Sequence, residues 1–341
     1  MMSGNKINFG KRKIISLSQD ALVNERQLRP GSPMPLVIEP AVDGVNVVEW
    51  TRNNRELIKS KLRSHGALLF RGFAVNTIQV FEEFMTALSD ELLDYSYRST
   101  PRTLVSGKIY TSTEYPAHQT IPLHNEMAYS RSWPMLIGFF CVVPAGEGGE
   151  TPIADSRKVF QRISPAIRER FIQKNVMYVR NYSDVLDLPW QDVFQTNDRA
   201  AVEKFCREAG IDFEWRGENE LRTWQVCQSA AEHPVTGEMV WFNQAHLFHV
   251  SALSTEISSS LNVDGREPPR NALYGDGLPI DDSHLAEVRA AYNKEAVVFP
   301  WQRQDVLLLD NMLAAHGRKP FRGERKVVVG MAEAFGSGAA I

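Results

Sequence analysis

The chain has 341 residues, 43% of them hydrophobic, enough to bury a sizeable core in one large domain or two smaller ones. A formal net charge of −3 with 23% charged residues argues against the strongly basic balance of a nucleic-acid or anionic-membrane binder. Three scattered cysteines, Cys141, Cys206 and Cys227, argue against a disulfide framework and include no CxxC pair.

The N-terminus is basic, with Lys11-Arg12-Lys13, but no apolar core follows it as in a signal peptide. Residues 1–40 are polar, lack periodicity and include Pro30-Gly31-Ser32-Pro33, which predicts a loosely held arm. The rest, 41–341, is expected to be a single domain with helical insertions at about 155–295. A helix should end at Ser64-His65-Gly66, with the glycine as stop signal, and Ala67 to Phe70 reads as a short strand. Asn76 or Thr77 can cap a second helix. There Phe81, Phe84, Met85, Leu88 and Leu92 recur at helical spacing as one core stripe.

From Ser106 onward short apolar or alternating runs are broken by Gly, Pro and Asn. Predicted strands are 135–143, 176–182, 221–226, 238–242, 297–300, 306–309 and 326–332. Helices are expected after Asp155, at Ser164-Pro165 with proline at the first helical position, from Asp198 to Ala209 before Gly210, and from Asp282 to about Lys294. The pattern predicts a mainly β fold, a sandwich or barrel with flanking helices. Met135 to Val143, the densest apolar run, is far below the roughly 20 residues of a membrane helix. A soluble, cytoplasmic protein with no membrane or nucleic-acid partner is therefore expected.

Two segments carry candidate chemistry. In Ile121-Pro122-Leu123-His124-Asn125-Glu126 a strand would put His124 and Glu126 on one face. Ala314-Ala315-His316-Gly317-Arg318 offers a second imidazole about 190 residues later, a separation that strand pairing can close. Two histidines and one carboxylate on one face of an octahedral ion, with the opposite face open, are the ligand set of non-haem Fe(II) oxygenases. His-X-Glu alone is a weak signal, since most such triplets are surface charges.

The surroundings make it specific. GALLFRGF (66–73), YTSTEYPAHQTIPLHNEM (110–127), GGETPIADSR (148–157), FNQAHLFH (242–249), DVLLLDNMLAAHGRKPF (305–321) and GERKVVVGMAEAF (323–335) follow one another in this order. In them the chain resembles the taurine dioxygenase-like (TauD/TfdA) superfamily of Fe(II)/2-oxoglutarate enzymes. It is most similar to the branch of clavaminate-synthase-like enzymes and SyrP-like amino-acid hydroxylases. The resemblance implies a double-stranded β-helix (jelly-roll) core, with Fe(II), 2-oxoglutarate and O2 as reactants. It implies His124, Glu126 and His316 as the metal-binding triad and Thr151 as a hydroxyl on the distal carboxylate of 2-oxoglutarate. Arg325 would pair with that carboxylate, unless a register slip presents Lys326 instead. Arg318 and Arg322 are expected at the loop or entrance.

The implied reaction is hydroxylation of an unactivated C–H bond of an amino acid, free or tethered to a peptidyl carrier protein, in secondary-metabolite (antibiotic) biosynthesis. Desaturation, epoxidation or cyclisation can use the same centre. Related halogenases lack the carboxylate that Glu126 supplies. Substrate contacts are expected from Arg98, Arg102 and Asn125 and from 181–198, although surface salt bridges would account for the arginines nearly as well. One of His246 and His249 could also reach the pocket. The Gly146-Glu147-Gly148-Gly149 run lacks the Gly-Lys-Ser/Thr ending of a phosphate loop and reads as a turn. Trp224, Trp241 and Phe248 default to core packing. Two rival readings are a zinc hydrolase using the same triad and a non-catalytic barrel that binds a small carboxylate or a carrier protein.

Overall fold

In the computed structural model, which describes residues 22–94, 102–112, 115–182, 188–217, 219–253 and 267–336, two layers of strands enclose the core. The larger is an eight-stranded sheet in the order Val23–Gln27, Leu36–Pro40, Ala67–Phe70, Val306–Asp310, Ser132–Val143, Lys326–Gly336, Ile109–Thr111 and Leu104–Ser106. The smaller consists of Ile121–His124, Ala314–Arg318 and Ile153–Asp155, extended by a pair formed from Phe321–Arg322 and Glu147–Gly148. Together they form the jelly-roll core.

The long strands read as unbroken apolar runs because both faces of the large sheet are covered. In Val306–Asp310, Leu307 and Leu309 pack with Ile153 and Ala314 of the small sheet. Val306 and Leu308 join the cluster on the opposite face, under the helices Val47–Asn53, Arg55–His65 and Ile78–Leu88. The predicted stripe lies on that side. Phe81 stacks on Phe140 at 5.4 Å between ring centroids, and Phe84 meets Phe70 edge-on at 5.0 Å. Thr77 caps its helix through the Val80 N–H. Gly66, left-handed at φ 72°, closes the helix before it.

Three expectations change. The arm predicted over residues 1–40 does not hold for its described part. Val23–Gln27 pairs antiparallel with Leu36–Pro40, which runs parallel to Ala67–Phe70. The Pro-Gly-Ser-Pro signal marks only the turn between these two strands. Residues 297–300 form no strand, and Val297 alone bridges to Ile153. The 155–295 segment holds helices but also a four-stranded antiparallel sheet, in the order Asp212–Arg216, Glu220–Cys227, Val176–Tyr182 and Arg270–Tyr274. Trp241 and Phe248 are core residues there, and all three cysteines are buried and free. No helix among the described residues is long and apolar enough to cross a membrane.

Candidate active site

Pairing within the small sheet brings the two histidines together. Ile121–His124 runs antiparallel to Ala314–Arg318 with His124 opposite His316, and the imidazole centroids are 4.6 Å apart. Gly317 permits this approach, because a Cβ there would stand 2.6 Å from the Ile121 carbonyl oxygen.

Glu126 arrives differently from the strand alternation expected. The strand stops at His124, and Glu126 sits in the turn beyond it, before Met127 in left-handed backbone (φ 56°). Asn311 fixes it there. Its Oδ1 accepts from the Glu126 N–H at 2.8 Å, while its Nδ2 donates to the Glu126 carbonyl at 2.9 Å and the Pro134 carbonyl at 2.8 Å. One potential ligand atom from each of His124, Glu126 and His316 lies within 4.8 Å of the others.

These donors fit a metal ion. The Nδ1–H of His124 donates to the Pro122 carbonyl at 2.8 Å, which leaves Nε2 with a lone pair for coordination. Desolvation, with the neighbouring His316 next in weight, lowers the His124 pKa to about 4, so the ring is neutral and ligand-competent at pH 7. Burial pushes Glu126 up, but Arg102, then His316 and His124, outweigh it and hold the carboxyl well below the usual range. His316 Nδ1 is buried with no hydrogen-bond partner among the described residues.

A cleft opens beside the triad, lined by Arg102, Ser112, Ile121, His124, Phe139, Thr151, His316, Gly317, Arg318 and Arg325. Arg325 and not Lys326 faces it, and Lys326 is exposed. Arg325 donates through Nε to the Gly149 carbonyl (2.8 Å) and through Nη1 to Ser112 Oγ (3.2 Å). Burial and the nearby Arg318 lower its pKa to about 10. Thr151 is buried and accepts a hydrogen bond from Trp301 Nε1 at 3.1 Å.

Three other residues depart from expectation. Arg318 is not an entrance residue. It is buried in the cleft wall and ties down the 115–119 loop through the carbonyls of Tyr115, Pro116 and Gln119. Asn125 is fully buried and absent from the cleft lining, and its Nδ2 donates to Ser156 Oγ and the Asn311 carbonyl. Arg102 lines the cleft, but its Nη2 donates to Glu126 Oε2 at 2.7 Å, with both side chains buried. Arg322 is exposed beside Glu147, on the short strand Phe321–Arg322 and outside the cleft lining. Arg98 lies outside the described residues.

Neither His246 nor His249 lines the cleft. The Nε2–H of His246 donates to the Leu123 carbonyl at 2.9 Å, and its ring packs on Tyr292. His249 instead meets Ser251. Asn311, Ser112 and Trp301 had no individual sequence signal. Asn311 and Ser112 fall inside the motif stretches, whereas Trp301 lies outside them.

The comparisons agree with this geometry. The family described as "Taurine catabolism dioxygenase TauD, TfdA family" matches residues 27–331. The dapdiamide synthesis protein DdaC of Enterobacter agglomerans is 41% identical over 310 residues, 90% of this chain and 94% of that protein. A clavaminate synthase-like protein of Arabidopsis thaliana is 30% identical over 318 residues, covering 88% and 93%. Among solved structures, PvcB of Pseudomonas aeruginosa, described as an Fe, alpha-ketoglutarate dependent oxygenase from an isonitrile synthetic pathway, aligns with a TM-score of 0.56 at 17% identity, covering 96% of this chain and 97% of its own. AAD-2 in complex with Mn(II) and N-oxalylglycine aligns at 0.52 and 14%, covering 91% and 96%, a likeness of fold. The chain belongs to the TauD/TfdA family. It is a 2-oxoglutarate-dependent dioxygenase whose cofactor is Fe(II).

Proposed function

We propose that this enzyme hydroxylates an unactivated C–H bond of an amino acid or amino-acid-like compound, free or tethered to a carrier protein, in secondary-metabolite biosynthesis. His124, Glu126 and His316 hold the ferrous ion. Arg325 and Thr151 hold the distal carboxylate of 2-oxoglutarate. The observation that carries this reading is the meeting of two imidazoles and a carboxylate beside a cleft that a partly buried arginine also lines. The likeness to the dapdiamide synthesis protein supports the biosynthetic setting.

When bound, the ferrous ion supplies oxygen activation coupled to decarboxylation of 2-oxoglutarate to succinate and carbon dioxide. The protein does the rest. His124 offers a neutral nitrogen donor, His316 offers a second imidazole, and Glu126 stays anionic beside Arg102. Because Glu126 takes the position that a halide would need, hydroxylation is favoured over chlorination. Phe139 and Ile121 line the cleft with apolar surface that limits water near the reacting atoms. Cytoplasmic location accords with the free buried thiols.

The test is succinate formation by the Fe(II)-loaded protein with 2-oxoglutarate and O2, against a panel of free and carrier-loaded amino acids. Succinate rising with a subset of amino acids, and a hydroxylated product by mass spectrometry, is expected. Glu126→Ala should lose iron binding and turnover together. Activity in zinc-reloaded protein without oxygen would instead establish the hydrolase reading.

A further inference from the structure

The cleft lining contains two hydroxyls whose hydrogen bonds have a forced direction. An indole N–H can only donate, so Thr151 Oγ1 must accept from Trp301 Nε1. A guanidinium also only donates, so Ser112 Oγ must accept from Arg325 Nη1. Each hydroxyl has a single proton. With its oxygen already serving as acceptor to a fixed donor, that proton is left to point elsewhere, and both residues line the cleft.

The surrounding backbone holds this arrangement still. The Ser112 N–H donates to the Val327 carbonyl at 2.9 Å, pinning it to the strand that follows Arg325. Trp301 is buried and packs edge-on against Phe299 at 6.1 Å. Arg325 lies over Gly149, where a Cβ would stand 2.9 Å from its Cδ. Among the described residues no carboxylate is within salt-bridge distance of Arg325, and Glu150 acts on it only from further away.

We propose that Ser112 and Trp301 complete a donor-only cradle for the distal carboxylate of 2-oxoglutarate. Ser112 donates its hydroxyl directly to that carboxylate. Trp301 acts as a positioning residue, turning the Thr151 hydroxyl towards it. The proposal rests on the anchor role given above to Arg325 and Thr151, and it adds to that role a second hydroxyl and the device that aims the first. A cradle made only of donors suits a carboxylate and disfavours neutral or cationic tails, because a hydrogen bond to a charged acceptor is the stronger kind and an unpaired buried donor is costly.

The test is calorimetric titration of Mn(II)-loaded protein with 2-oxoglutarate, which reads binding without turnover, with Mn(II) affinity measured first as a check on the triad and the fold. Ser112→Ala should weaken 2-oxoglutarate about tenfold or more, and Trp301→Phe, which keeps the ring and loses only the N–H, about threefold to tenfold. Mn(II) affinity should stay at the wild-type value in both. Because Trp301 acts through Thr151, adding Trp301→Phe to Thr151→Val should cost nothing beyond Thr151→Val alone. Wild-type 2-oxoglutarate affinity in Ser112→Ala and Trp301→Phe, or fully additive losses in the double variant, would overturn the cradle. Arg325→Ala separates the two levels. If it weakens 2-oxoglutarate while the Ser112 and Trp301 variants do not, the anchor stands and the cradle falls. If it has no effect, both fall.

Discussion

Asn311 holds the peptide of Glu126 at both ends, and nothing on Glu126's own strand does so, since that strand has ended two residues earlier. Asn311→Ala leaves a buried N–H and two buried carbonyls short of a partner, which should cost about 3 kcal/mol of stability. It should also cost roughly 10- to 100-fold in metal affinity, the usual penalty for losing a residue that orients a ligand. Asn311→Asp is not expected to rescue either loss, because a carboxylate cannot donate to the Glu126 and Pro134 carbonyls. Urea unfolding and Mn(II) calorimetry measure the two effects. His246 carries the clearest pH dependence. Burial, the largest influence, lowers its pKa to about 3, whereas the unfolded chain takes up that proton near 6.5. The unfolded state therefore binds more protons below pH 6.5. Stability from this site is complete above that pH and falls as pH drops towards 3, by on the order of 4–5 kcal/mol over the whole window. His246→Gln keeps a donor for the Leu123 carbonyl but cannot titrate. Its unfolding free energy should fall less steeply between pH 7 and pH 4.5.

At the scale of the element, strand phase decides which of two adjacent cations meets the co-substrate. Along Lys326–Gly336, Val327, Val329 and Met331 face the inner core, while Val328 and Ala332 face the helices. Continuing that alternation backwards turns Arg325 inward and Lys326 out, as observed, and a bulge between Lys326 and Val327 begins the pairing with Ser132–Val143. Arg325→Ala should raise the KM for 2-oxoglutarate by about tenfold or more, and Lys326→Ala by less than about twofold, in steady-state succinate assays. The pairing of Ile121–His124 with Ala314–Arg318 is equally exacting. Gly317→Ala puts a methyl 2.6 Å from backbone, so the strands must part and His124 must draw away from His316. About 1–3 kcal/mol of destabilisation is expected from the overpacking, with weaker Mn(II) binding in the same calorimetric experiment.

Over the whole molecule, the N-terminal strands are part of the framework that carries the site. Leu36–Pro40 covers the edge of Ala67–Phe70, which neighbours Val306–Asp310, whose downstream turn contains Asn311. Met34, Leu36, Val37 and Ile38 are buried. Losing four such side chains removes roughly 6–12 kcal/mol of burial, comparable to the whole stability of a typical domain. It also bares an apolar edge strand. Deleting residues 1–40 should therefore give insoluble or unfolded protein, judged by soluble yield and thermal melting, where a loose arm would have been removed without effect.

Local rules were legible in the chain itself. The Gly66 stop, the Thr77 cap, the Phe81-Phe84-Met85-Leu88 stripe and the apolar central strands follow from conformational preference and periodicity, which neighbouring residues carry within themselves. The ordered motifs likewise pointed to His124, Glu126 and His316. Other features depend on partners distant in sequence, and only the tertiary structure decided them. Val327-Val328-Val329 is apolar on both faces and so carries no sign of which parity turns inward towards the cleft. Glu126 is aimed by Asn311, 185 residues away, and not by its strand. Polar Val23–Gln27 becomes an edge strand because Leu36–Pro40 offers it a ladder. Trp301 reaches Thr151 across 150 residues. Backbone preference is short-ranged, whereas the direction of a buried donor is set by whatever acceptor the packed fold brings to it.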